Sequence, residues 1–490
     1  MDVIFLTYLS LFTDSKQQEI IQQKFFFILS LFDSSCYHKN QKFFYLPPTY
    51  FMKEESTVLI LKNALALDPE NNEAKVKDLW IEGEKIIEPL ESVPLGARVI
   101  QLDQKKWITP GLVDIHCHLR DPGFQEKETI KTGTLSALAG GFTLVCPMAN
   151  TRPVVDNLVS LEYVKSTAEK TGACQVLQHS ALTEGLSGQK LVEMTSLLEQ
   201  GAVAFSDDGV PYQNLELLKI GLQNVGILDS VIVSHAEEPS LFVGGSMHEG
   251  QWSLKLGLKG IPSECESIAV AREIEVLKTV NKSKSFRKAR LHFSHISSKR
   301  SVELIKRAKE ENLNITAETT PHHICLTEQA TENYNTKAKM NPPLRTTEDQ
   351  IALVEGILNR TLDTLATDHA PHTKLEKERF FEQAPFGITG FETALSIYLE
   401  KFVHSNLLSP LELIKILTID ACRCLKIKKD NSLKPGSRAN LTVIDPNLDW
   451  NFQEKNTVSK SFNSPFYGRN FQGKAIYTIY NGAIKYQYQN

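Results

Sequence analysis

Between about residues 108 and 425 the chain alternates short apolar runs with longer stretches whose apolar residues recur at helical spacing, a pattern few architectures accept. The short runs read as strands at 112–115, 143–146, 175–178, 202–205, 231–234, 291–294, 314–317 and 364–367. Between them lie segments such as Ser301-Val-Glu-Leu-Ile-Lys-Arg-Ala-Lys, which predict amphipathic helices. Eight strands with intervening helices predict an α/β fold, a closed parallel (β/α)8 TIM-like barrel. A doubly wound open sheet is the rival, but no Gly-rich dinucleotide or phosphate loop follows the first strand.

The flanks speak a different language. Val58-Leu-Ile-Leu-Lys-Asn reads as a strand, and Lys77-Asp-Leu-Trp-Ile-Glu-Gly-Glu-Lys-Ile as a hairpin turning at Gly83. Near the other end, Leu441-Thr-Val-Ile-Asp and the run from Lys474 to Tyr486 give strands around an Asn481-Gly482 turn. Neither flank is large enough to make a comfortable core alone. The expectation is one small β-sandwich domain assembled from 52–107 and 426–490, bracketing a barrel over 108–425.

Residues 1–51 hold nine of the 24 phenylalanines and no glycine or alanine. They are expected to be disordered or not part of the fold. Their apolar run, residues 25–32, is far short of the roughly 20 residues that span a bilayer, and no Ala-x-Ala cleavage site follows. A net charge of −4 carries no basic footprint for nucleic acid. Eight scattered cysteines make no disulfide framework, which fits a reduced, cytoplasmic compartment.

In a barrel, function gathers at the C-terminal ends of the strands. Strand one ends in Asp114-Ile-His116-Cys-His118-Leu-Arg120, and strand four in Asp207-Asp208-Gly209. Strand five ends in His235, strand six in His295, and strand eight in Asp368-His-Ala-Pro-His372. Side chains two apart on a strand share a face, so His116 and His118 can bite one cation. Imidazole and carboxylate ligands suit zinc, with manganese or cobalt as substitutes. His116, His118, Asp208, His235, His295 and Asp368 exceed one tetrahedral site, which points to two metals.

Five motifs carry a resemblance: Asp114-Ile-His-Cys-His-Leu-Arg-Asp-Pro-Gly, Met148-Ala-Asn-Thr-Arg-Pro, Phe205-Ser-Asp-Asp-Gly, Lys339-Met-Asn-Pro-Pro-Leu-Arg and Ala366-Thr-Asp-His-Ala-Pro-His. Together, over roughly 56–490, they resemble the bacterial type I dihydroorotases of the amidohydrolase superfamily. Single motifs are shared with hydantoinases and allantoinases. The resemblance implies reversible cyclisation of N-carbamoyl-L-aspartate to (S)-dihydroorotate plus water, a step of de novo pyrimidine biosynthesis. It implies that His116, His118 and Asp368 hold one Zn2+, that His235 and His295 hold the other, and that Asp208 bridges them with a hydroxide. Many relatives bridge with a carboxylated lysine, but strand four offers none near Asp208; Asp207 is the rival for the bridge. Two cations can lower the pKa of bound water from near 16 to roughly 7, and Asp368 would act as general acid/base.

For the substrate carboxylate, Arg120 lies two residues beyond His118, and the alternation of the strand is expected to keep it inward. The resemblance adds Asn150, Asn341, His372, Phe386 and Gly387 as substrate contacts. It also leaves room for a homodimer or a complex with aspartate transcarbamoylase, as a catalytic subunit or a scaffold; the scaffold should have lost ligands, and all six are present. A hydantoinase or allantoinase is the nearer rival, weighed against by Arg120 and Asp207-Asp208-Gly209.

The other histidines have blander expectations. His179 is expected to be structural, His322 and His323 to pack or support, and His369 to face away from the metals. His292 has the parity opposite to His295 and is expected to pack outside; His38, His248 and His404 are expected at the surface. The basic run 282–290 reads as a solvated loop. Cys422 and Cys424 read as ordinary packing.

Overall fold

A computed structural model describes residues 58–286 and 289–489. The expectations for residues 1–51, including His38, lie outside the described residues, as does part of the basic run 282–290. No described helix is long and apolar enough to cross a membrane.

The parallel core follows the predicted alternation. Leu112–Cys117, Phe142–Pro147 and Gln175–Val176 form one parallel sheet, and Ile232–Ser234, Leu291–Phe293, Ile315–Thr319 and Thr364–Leu365 another. The fourth predicted strand, 202–205, is not a strand. Only Phe205 pairs, bridging in parallel to Ser180 on one side and Ile232 on the other. A further parallel bridge joins Cys117 to His369. Four of the other strands, Gln175–Val176, Ile232–Ser234, Leu291–Phe293 and Thr364–Leu365, are shorter than expected by one or two residues.

Several helices between the strands begin where the sequence supplies a cap. Asn157 accepts from the amides of Val159 and Ser160, and Ser298 from that of Ser301, each satisfying donors the first turn leaves free. In Lys299–Glu310 the buried positions Ser301, Val302, Ile305 and Ala308 recur at helical spacing, which sets that face on the core. On the inner face of the strands Val113, Ile115, Leu144, Cys146, Ala204, Val231, Val233 and Ala366 make an apolar cluster. Helix Ala421–Cys424 closes that cluster at one end, so Cys422 and Cys424 pack as expected. Among the described residues all seven cysteines are free.

Both flanks enter one eight-stranded sheet. In it Asn470–Tyr480 lies between Ala483–Gln487 and Leu441–Asn451, and Leu441–Asn451 continues through Trp107–Pro110 to Leu59–Asp68 and Glu73–Glu82. Hydrogen bonding thus joins all the flank strands in a single sheet. The hairpin at Asn481-Gly482 has positive φ at both turn residues, 49° and 74°, as a two-residue turn that matches strand twist requires. The sheet packs on the parallel core through Trp450, whose indole N–H lies 3.2 Å from Ser396 Oγ and from the Gly473 carbonyl. The described residues all fall in one compact unit.

Candidate metal centre

The first core strand carries a bulge just before its polar end. Asp114 opposes Val145 while Cys117 opposes Pro147, three steps on one strand against two on its partner. An extra residue exchanges the faces that later side chains take. Val113 and Ile115 therefore pack in the inner apolar cluster, and yet His116 joins the polar group at the strand exit. His118 follows beyond the last paired residue.

His116 Nδ1 lies 2.8 Å from Glu318 Oε1, and its Nε2 is buried without a partner. His118 Nδ1 lies 3.0 Å from Asn150 Oδ1, and its Nε2 is 3.1 Å from Asp368 Oδ1. His235 Nδ1 is 2.9 Å from His295 Nε2. Asp208 sits among all four rings. Its Oδ1 is 3.6 Å from His116 Nε2, His235 Nδ1 and His295 Nε2, and its Oδ2 is 3.6 Å from His118 Nε2. One ligand atom each from His116, His118 and Asp368 falls within 4.8 Å of the others, as do those of His116, Asp208 and His295.

Two of these residues reach the group by leaving the strand conformation. His295 has φ +33° and Asp368 φ +45°, a left-handed region that costs energy for a side chain with a Cβ and is held only where its surroundings demand it. The Asp368 amide donates to the His116 carbonyl at 3.0 Å, which fixes the last step of strand eight beside strand one.

The donor set fits a divalent cation. His116 Nε2 and Asp208 Oδ1 are buried and lack any hydrogen-bond partner among the described residues, a costly state unless another group occupies the space between them. Burial alone would push the Asp208 carboxyl up; His116, His295, His118 and His235 instead hold it well below the usual carboxylate range. Asp368 is likewise held low against its burial by His118, His116 and His295. Four imidazoles and two ionised carboxylates converging in this way suit zinc or a similar ion.

Asp207, the rival for the central position, is engaged elsewhere. It accepts from the amides of Leu182 and Thr183 at 2.7 and 3.0 Å and from Thr183 Oγ1 at 2.5 Å. Gly209, two residues on, has φ +79°, and a Cβ there would stand 3.6 Å from Asn150 Nδ2.

The predicted substrate residues line the same mouth. Arg120 is half-buried; its Nε donates to the Pro371 carbonyl at 3.2 Å and its Nη2 lies 3.3 Å from His372 Nε2. The inward parity expected of it does not apply, because the strand ends at Cys117 and Arg120 is turned by its own φ of +60°. Asn150 Nδ2 donates to Asp208 Oδ2 at 3.2 Å. Asn341 Nδ2 donates to Glu237 Oε2 at 2.7 Å and lies 3.3 Å from His235 Nε2. Gly387 has φ +126°, and a Cβ there would come 2.8 Å from Ala370 Cβ and 3.2 Å from His372 Nε2. Phe386 precedes it, with the Lys339 ammonium 4.5 Å from its ring centre.

Three expectations for the remaining histidines fail. His292 is buried, with Nε2 3.2 Å from Glu318 Oε2 and Nδ1 2.8 Å from Thr316 Oγ1, so it backs the carboxylate that holds His116. Its parity is opposite to that of His295, but His295 has left the strand, and His292 has the inner face. His248 is buried beside Arg345 Nη1 at 3.3 Å, and burial lowers its pKa to about 4. His404 is half-buried. The others follow their expectations. His179 Nε2 bonds the Ile115 carbonyl at 3.1 Å, and His323 bonds Thr320 and the Pro342 carbonyl. His322 is fully buried. His369 stacks on Phe391 and reaches Glu128.

Sequence reasoning missed Glu318 and Glu237. Glu318 had a signal: it is a carboxylate one residue past the predicted seventh strand, in line with an inward-facing position. Burial would push its pKa up, but the hydrogen bond from His116 and the nearby His292 bring it down to about 2.

With this geometry in hand, the likenesses of the chain are specific. Residues 105–301 match the family model described as Dihydro-orotase-like. The chain is 40% identical over 430 residues to a protein named Dihydroorotase from Caldanaerobacter subterraneus subsp. tengcongensis, covering 88% of this chain and 97% of that one. It is 41% identical over 430 residues to a Dihydroorotase from Pelotomaculum thermopropionicum, with 88% and 98% covered. Among solved structures it superposes on an L-hydantoinase (dihydropyrimidinase) from Arthrobacter aurescens with a TM-score of 0.75 at 24% identity, over 87% of this chain and 95% of that one. A dihydropyrimidinase from Brevibacillus agri gives 0.74 at 21% identity with the same coverage. At those identities the likeness carries the fold alone: a TIM barrel with a β-rich flank.

Proposed function

The chain belongs to the dihydroorotase family, and we propose that it interconverts N-carbamoyl-L-aspartate and (S)-dihydroorotate on two zinc ions held at the strand exits. It is a cyclic-amide hydrolase of pyrimidine biosynthesis. The observation that carries the two-metal reading is Asp208, whose two carboxylate oxygens face different histidines while Oδ1 stands buried and unbonded. His116, His118 and Asp368 would hold one ion, His235 and His295 the other, with Asp208 shared; Asp207 keeps its place in the chain through Leu182 and Thr183. When bound, the two cations supply an activated water and polarise the amide carbonyl.

The remaining work belongs to the side chains. Asp368 Oδ1, beside His118 Nε2, is placed to accept the proton of the attacking water and pass it to the departing ring nitrogen. In the direction of ring closure it takes that proton back from the ureido nitrogen. Arg120 offers its guanidinium to the substrate carboxylate with His372 beside it, and Asn150, held against Asp208, is the further contact. Burial and the neighbouring Arg120 lower the His372 pKa to about 3 against the pull of Glu376, so His372 meets the substrate as a neutral ring. Asn341, Phe386 and Gly387 complete the pocket.

The same reading takes the bridges at Phe205 and between Cys117 and His369 as the seams of a closed eight-stranded barrel. It takes 108–425 as that barrel and 52–107 with 426–490 as the β-rich flank. Assembly as a homodimer or with aspartate transcarbamoylase is compatible with this reading and not required by it.

The test is Asp368→Asn. Turnover should fall by at least about a thousandfold, on the scale of lost acid–base catalysis, while part of the bound metal remains. Near-parental turnover would remove Asp368 from the proton-transfer role.

A further inference from the structure

The flank reaches into the pocket at one point. Between the strands Leu441–Asn451 and Asn470–Tyr480 the chain crosses the mouth of the parallel core and places Asn463 there, 1% exposed. Asn463 Oδ1 accepts from the His372 amide at 3.0 Å. Its Nδ2 donates to the Ala370 carbonyl at 2.9 Å and to the Gly387 carbonyl at 3.1 Å. Its own carbonyl accepts from the Thr389 amide at 3.2 Å. A single side-chain amide thus spends both donors and its acceptor on the backbones of two loops, one ending in His372 and the other carrying Phe386 and Gly387.

These loops have little tolerance for movement. A Cβ on Gly387 would collide with Ala370, 2.8 Å away, and press on the His372 ring at 3.2 Å. His372 in turn adjoins Arg120 Nη2 at 3.3 Å, and the Gly387 amide donates to the Lys339 carbonyl at 3.0 Å, two residues before Asn341. The strap is anchored on the side away from the site. Ser459 bonds Glu128, the carboxylate that His369 reaches, and the amides of Val458 and Ser459 hold Glu392.

We infer that Asn463 is a positioning residue: by joining the His372 loop to the Gly387 loop it sets the width of the pocket that receives the substrate carboxylate. This rests on the assignment of Arg120, His372 and Gly387 to that pocket. The composite flank then has a task beyond covering the core. The two loops already meet where the Ala370 amide donates to the Ile388 carbonyl at 2.7 Å, and Asn463 adds the link that reaches His372 and Gly387 themselves. Asn463 touches no metal ligand in the contacts above, so its loss should act on substrate affinity before it acts on chemistry.

The test is steady-state kinetics with dihydroorotate on Asn463→Ala, Asn463→Asp and Arg120→Ala, with metal content measured on each. Asn463→Ala leaves two buried carbonyls and one amide unbonded, and should raise KM about tenfold or more with kcat within about threefold of the parent and metal content unchanged. Asn463→Asp keeps the acceptor for the His372 amide and loses both donors, so its KM should lie between the two. If the alanine variant does not fold, the aspartate variant carries the test by itself. Parental KM in the folded Asn463 variants, alongside a raised KM in Arg120→Ala, would overturn the positioning role alone. A fall in kcat and metal content with KM unchanged would overturn it too, since that is the mark of general structural damage. Unchanged KM in Arg120→Ala would instead sink the underlying pocket assignment, and this inference with it.

Discussion

At His116 the acceptor behind the ring decides what the front can do. An imidazole that donates from Nδ1 to a carboxylate presents the Nε2 lone pair to a cation, and the negative charge raises its basicity. Glu318 Oε1, 2.8 Å from Nδ1, does this, and His292 steadies Glu318 from the other oxygen. Glu318→Ala should therefore weaken metal binding by about 10–100-fold, and Glu318→Gln, which can still accept from Nδ1, should recover part of it. Competition with a chromophoric chelator measures this without reference to turnover; parental affinity in the alanine variant would show that His116 is oriented by something else. The six ligand candidates were legible in the sequence because histidines and aspartates stood at five predicted strand ends. Glu318 was not, because the predicted strand stopped at 317 and a lone glutamate carries no motif. The choice of Asp208 over Asp207 needed partners that only the fold supplies, three donors from Leu182 and Thr183.

Within the elements, alternation is a sound guide only while the strand lasts. It correctly grouped His116 with His118, although the bulge between Asp114 and Cys117 lies in the same stretch. It misled for His292, whose face was judged against His295, and it does not extend to Arg120, because the strands end at Phe293 and at Cys117, before His295 and Arg120 are reached. Such exits are expected where a fold aims side chains at a shared point, because local strain is tolerated where the surroundings over-determine it. The fourth strand was over-read for a related reason. Ala202-Val-Ala-Phe is apolar enough for a strand, but only Phe205 finds a partner on each side before the chain turns into Asp207-Asp208. The flank strands were legible from their turns, Gly83 and Asn481-Gly482, whereas their union in one sheet depends on pairings as distant as Thr109 with Thr442, 333 residues apart.

Over the whole molecule, burial of neutral histidines makes stability depend on pH. His179, His248 and His323 have pKa values lowered to about 4 and His372 to about 3, from 6.5, burial being the main cause in each. Below 6.5 the unfolded chain takes up protons that the fold refuses, so stability falls as pH drops from 6.5 toward 4, by on the order of 1 kcal/mol per histidine near pH 5.5. His179→Gln should flatten the pH dependence of the urea midpoint over that range by one proton's share, and an unchanged slope would contradict the assignment. Metal loading should show the largest effect of all, because six buried side chains converge on the proposed centre. Stripping the protein with a chelator and titrating zinc back while following dihydroorotate hydrolysis tests the central claim most directly. The two-metal account predicts that activity vanishes on stripping and returns to its maximum only at two zinc ions per chain. Full activity at one ion per chain, or in the stripped protein, would contradict it.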